Sequence, residues 1–125
     1  MSNLVPPAVL QNIAVTVRPD EKHPGKFISH TVPADPILTE PNVILNYQIV
    51  ESFGLDIVFT GAVVKPRYNR QVSKPTISVD GKMLTLSDIN TEKMTLNITL
   101  EFDGPSGPFA HDPQVQNDPQ KPPMC

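Results

Sequence analysis

Apolar and polar residues alternate at period two through most of this chain, which sends successive side chains to opposite faces of extended backbone. The clearest run puts Met94, Leu96, Ile98, Leu100 and Phe102 on one face and Thr95, Asn97, Thr99 and Glu101 on the other. It predicts a long strand with one face on a core and one in water. Ile13, Val15 and Val17 define an earlier strand that ends at Pro19, where the ladder loses a donor. Phe27 to Val32 forms a weaker second strand. Val43, Leu45, Tyr47 and Ile49 alternate in the same way, and a turn at Ser52-Phe53-Gly54 leads to Leu55, Ile57 and Phe59. These two runs are expected to pair as a hairpin. Thr76 to Val79 and Met83 to Ser87 flank Asp80-Gly81, residues suited to a tight hairpin turn. Ser87 to Lys93 offers at most one turn of helix, at a corner. About seven strands with closely spaced turn signals predict an all-β, immunoglobulin-like, two-sheet antiparallel sandwich.

Length and composition set the limits of that sandwich. A chain of 125 residues fits one domain, and such a domain buries roughly two thirds of its unfolded surface. The 38% apolar content supports a core. Residues 1–103 are expected to form the sandwich. Residues 104–125, rich in Pro, Asp, Asn and Gln, read as a tail that is extended or docked on the domain or on a neighbouring subunit. A net charge of -3 gives no global attraction to nucleic acid or anionic membrane, and no apolar run reaches membrane-spanning length. The single cysteine, Cys125, allows no disulfide within these residues, and the Met1 to Pro7 start lacks the features of a secretory signal. A reducing, cytoplasmic location is the expectation.

Carboxylates precede prolines in Asp35-Pro36-Ile37-Leu38-Thr39-Glu40-Pro41, and each proline pushes the residue before it into extended backbone. The odd spacing sends Asp35 and Glu40 to opposite faces of a straight strand, so a shared acid/base or metal site needs a turn between them. Loop punctuation ahead of the strand at Val43 is the simpler role. The paired Asp-Pro and Glu-Pro dipeptides, in a β-rich chain of this length, resemble the DP-EP family of uncharacterised bacterial proteins, named for such dipeptides. The resemblance implies no activity, substrate or catalytic residue.

A second acid-proline segment runs from His111-Asp112-Pro113 to Asn117-Asp118-Pro119. Asp112 and Asp118 fall on the same side of an extended chain, but the sequence lacks the ligand order of a calcium loop. A site shared with Asp35 and Glu40 requires the tail to fold back. His23, His30 and His111 have no zinc-ligand spacing, so no metal and no cofactor is assigned. Gly104-Pro105-Ser106-Gly107 lacks the strand-turn-helix setting of a nucleophile elbow, so no catalytic residue is assigned either.

Lys65, Arg67, Arg70 and Lys74 occupy an acid-free run with Tyr68 among them. Such a run suits an anion, or a nucleic-acid backbone with a stacked base, although four charges make a short footprint and a solvated loop is the simpler reading. Two function classes follow. The favoured one is a non-enzymatic module that binds a protein partner or itself through a strand edge, the 65–74 loop and the tail. The other is a hydrolase or metal-dependent enzyme assembled from Asp35, Glu40, Asp112 and Asp118. The candidate ligand or partner residues are thus Asp35, Glu40, Lys65, Arg67, Tyr68, Arg70, His111, Asp112 and Asp118.

Overall fold

The computed structural model describes residues 8–120, and no helix occurs among them. Ten strands form in the order β1 (Val9–Pro19), β2 (Phe27–Val32), β3 (Ile37–Leu38), β4 (Val43–Glu51), β5 (Val58–Lys65), β6 (Thr76–Ile77), β7 (Met83–Asp88), β8 (Met94–Gly104), β9 (Gly107–His111) and β10 (Gln114–Asn117). One sheet has the order β2-β1-β4-β7-β6, and the other has the order β3-β10-β8-β5 with β9 also paired to β8.

Period-two patterning decides which side chains are buried. Ile13, Val15 and Val17 from β1, Leu45 and Tyr47 from β4, and Leu84 and Leu86 from β7 line the first sheet's inner face. They join Phe59, Leu96, Ile98, Leu100, Phe102 and Val115 of the second sheet in one core. Full burial of each large side chain contributes about 1.5–3 kcal/mol. Polar pairs tie strands together on the outer faces: Thr85 Oγ1 donates to Asn46 Oδ1 at 3.0 Å, and Asn46 Nδ2 to Asn12 Oδ1 at 3.1 Å. Aromatic rings fill one side of the core. Phe109 lies 4.8 Å from Phe27 and 5.0 Å from Phe102, which in turn stacks on Phe59 at 4.9 Å.

The sandwich departs from the expected seven-strand antiparallel pattern in two ways. It has ten strands, and β1 with β4 and β3 with β10 run parallel, so both sheets are mixed. The chain turns from β1 into β2, visits the other sheet as β3, and returns as β4 on the far side of β1, which makes the β1–β4 pair parallel. Second, β4 and β5 belong to different sheets and do not form a hairpin. The Ser52 turn, closed by Leu55 N–H on Ser52 O at 2.9 Å, begins a crossing between sheets. The β6–β7 hairpin does form, with Gly81 at φ 75° in its turn.

Residues 107–117 form β9 and β10, both antiparallel to β8 and separated by Asp112-Pro113. Val115 is fully buried. The stretch that composition marks as a tail therefore supplies two strands of the second sheet. Residues 1–7 and 121–125, with Cys125 and the N-terminal start, lie outside the described residues.

Candidate functional site

The two acid-proline segments lie side by side. β10 is parallel to β3, with Gln116 opposite Ile37 and Asn117 opposite Leu38. Backbone bonds extend the seam: Gln116 N–H donates to Pro36 O at 2.9 Å, Asp118 N–H to Leu38 O at 2.9 Å, and Gln120 N–H to Thr39 O at 3.2 Å. Pro36 and Pro113 are buried, each just before a strand, where a missing N–H costs the ladder nothing. Asp35 accepts from Gln114 N–H at 3.2 Å, so its carboxylate joins one segment to the other. Glu40 is bound through its backbone: its carbonyl accepts from Asn90 Nδ2 at 2.8 Å while its side chain is exposed.

The carboxylates themselves are not gathered. Among the described residues no group of three or more His, Cys, Asp and Glu side chains is placed to hold a metal ion. Asp112 is exposed and Asp118 partly so. His111, half-buried at the end of β9, has its pKa lowered mainly by burial, with Asp112 raising it, His30 lowering it and Asp35 raising it.

Beneath the seam sits a polar cluster that the sequence pattern did not reveal. Gln71, Asp88, Asn90 and Asn117 are 5%, 0%, 1% and 1% exposed. Asp88 Oδ1, at the end of β7, accepts from Asn90 N–H at 2.9 Å and from Asn117 Nδ2 at 3.0 Å, linking the first sheet to β10 of the second. Asn90, at φ 52°, donates through Nδ2 to Leu38 O at 2.9 Å as well as to Glu40 O. Gln71 Oε1 accepts from Thr91 N–H at 2.8 Å and Glu92 N–H at 3.3 Å. Burial pushes the Asp88 carboxyl above the usual range, while the bonds from Asn117 and Asn90 pull it partly back. Tyr47, buried nearby, is pushed up first by burial and then by the charges of Asp35 and Asp88.

The basic residues lie at and beyond the end of β5. β5 ends at Lys65, and Pro66 to Val72 form a loop in which Asn69 Oδ1 accepts from Gln71 N–H at 2.8 Å and Val72 N–H at 2.9 Å. Gln71 thus anchors the loop inward. Lys65, Arg67, Tyr68 and Arg70 are exposed, Tyr68 at 87% and Arg70 with φ 57°. These four share one short stretch of chain, whose Lys65 pairs with Asn97 of β8 on the side opposite Gln114.

The family model of the DP-EP family matches residues 11–119. The chain belongs to the DP-EP family. The match spans both acid-proline segments, so the DP-EP frame includes β10 as well as β3. No curated protein matches the chain. Among solved structures it is similar to Lac15 from a marine microbial metagenome, at 12% identity and TM-score 0.39, over 90% of this chain and 38% of that one. The chain therefore spans well under half the length of that protein.

Proposed function

We propose that this DP-EP chain is a non-enzymatic, intracellular interaction module: an immunoglobulin-like sandwich that binds an extended, acidic segment of a protein partner along β5 and the adjoining basic loop. The observation that carries the reading is the continuity of a free strand edge with an acid-free basic loop. β5 pairs with β8 on one side. On the other, among the described residues, its backbone bonds through Phe59 N–H to Gly81 O at 2.8 Å. Beyond the bulge at Thr60, Gly61 to Lys65 present an open edge with Val63 exposed. An added strand would take its affinity from main-chain bonds and its preference from side chains. Arg67 and Arg70 would favour a partner with carboxylates. The bulge, Lys65 and Pro66 bound the edge, devices that limit open-ended strand pairing.

The test is a titration of the full chain with an extended peptide of alternating Val and Glu, beside its Val and Lys counterpart, followed by amide chemical shifts. The expected result is shifts confined to Gly61–Lys65 and the following loop for the acidic peptide alone. Arg67→Glu with Arg70→Glu should weaken it by about tenfold. No shifts along β5, or affinity unchanged by the double reversal, would overturn the reading. Salt-sensitive binding of a single-stranded oligonucleotide with no response to the peptide would move it to nucleic acid. The acid-based enzyme gains no support from the dispersed carboxylates.

A further inference from the structure

Among the described residues, four buried side-chain oxygens have no hydrogen-bond partner: Tyr47 Oη, Asp88 Oδ2, Asn90 Oδ1 and Asn117 Oδ1. Three of them belong to groups bonded to one another, since Asp88 Oδ1 holds both Asn90 N–H and Asn117 Nδ2. The amide orientations are fixed by their partners. Asn90 Nδ2 donates to two carbonyls, and Asn117 Nδ2 donates to the Asp88 carboxylate and Gln71 Oε1, so turning either amide would set oxygen against oxygen. The three free carboxylate and amide oxygens are therefore pure acceptors, and the Tyr47 hydroxyl is a donor as well. An acceptor without a partner in the interior is destabilising, and more so when it is charged.

Asp88 adds a charge to this need. Among the described residues the one ion pair is His23 Nδ1 with Asp20 Oδ2 at 2.9 Å, so no Lys or Arg neutralises the buried carboxylate. A water molecule brings two protons to three pure acceptors and no charge. Sulfur and imidazole ligands are missing from the set, and an all-oxygen set with one carboxylate matches a hard cation of low charge. From these contacts we infer a buried site for a hard monovalent cation such as sodium, with Asp88 Oδ2, Asn90 Oδ1 and Asn117 Oδ1 as ligands. Asp88 and Gln71 are among the residues lining a pocket of about 350 Å³, and Asn117 is among those lining another of about 380 Å³. A cation here would cross-link β7 of the first sheet to β10 of the second.

The experiment compares thermal unfolding of the full chain in sodium chloride and in choline chloride at equal ionic strength, at pH 5 and pH 8. At pH 8 sodium should stabilise the chain selectively. Above saturation each tenfold rise in sodium should multiply the folded-to-unfolded ratio about tenfold. Asp88→Asn should abolish that dependence, and equilibrium dialysis should find about one sodium per intact chain. Identical unfolding in the two salts would overturn the assignment, as would a sodium dependence retained in D88N. Stability that falls from pH 5 to pH 8 and is not restored by sodium means that a proton holds Asp88, and overturns it too. Should D88N fail to fold, dialysis of the intact chain decides, and no retained sodium overturns the site.

Discussion

Neighbouring residues on β10 should respond very differently to truncation. Val115 is fully buried between the sheets, whereas Gln116 points outward and accepts from Thr95 Oγ1 at 2.7 Å. Val115→Ala removes two carbons from water-excluded surroundings, a transfer loss of about 1.6 kcal/mol at ~0.8 kcal/mol each. The cavity left in a two-sheet core raises the loss to about 2–3 kcal/mol, because strands on both sides resist collapse. Gln116→Ala gives up one exposed cross-strand pair, about 0.5 kcal/mol. The chain has no tryptophan, so urea unfolding followed by far-ultraviolet circular dichroism is the suitable assay. V115A should lower the midpoint by about 1–2 M at constant slope, and Q116A should barely move it. Equal, small shifts for the two variants would refute the placement of β10 in the core and return residues 112–120 to a loosely attached tail.

Other expected outcomes test separate parts of the fold. Gly81→Ala meets both a φ of 75° and a Cβ placed 2.7 Å from Val58 Cβ, and should cost about 2–4 kcal/mol in thermal unfolding. Gly25→Ala, at φ 83° in open space, should cost about 1 kcal/mol. Burial raises the folded pKa of Asp88 above its unfolded value, so the folded state binds the proton more tightly. In sodium-free buffer, stability should therefore fall as pH rises from about 4 through that raised value, and D88N should flatten the profile. His111 has the opposite sign: its folded pKa is lowered, so stability should be lost as pH falls from about 6.5 through the lowered value, and His111→Gln should remove that loss in a pH series of unfolding curves.

Local alternation made the inner faces of β1, β4, β7 and β8 legible, because burial follows parity along each strand. It carries no information about which strand lies alongside. A turn such as Ser52-Phe53-Gly54 serves a hairpin and a crossing between sheets equally well, so it does not fix whether β4 and β5 pair, and they lie in different sheets. β10 is not legible in the sequence for another reason: it has a single apolar residue, Val115, between Gln114 and Gln116, and its place depends on β3 and β8 far away in sequence. Likewise Gln71, Asp88, Asn90 and Asn117 read as surface residues, since a polar side chain is buried only where partners from other segments meet it. The acid-proline dipeptides were visible, and their juxtaposition required the returning chain.

β10 lies inside its sheet, between β3 and β8, and Asp35 bonds to a residue 79 positions later. During synthesis, β3 has no neighbour in its sheet until Gln114 to Asn117 have emerged from the ribosome. Completion of the sandwich is then a late insertion between two waiting strands, and a chain stopped before Gln114 leaves both of them open. Such long-range closure is slow compared with local hairpin formation. The interval before it is when nascent DP-EP chains are most exposed to mispairing with one another.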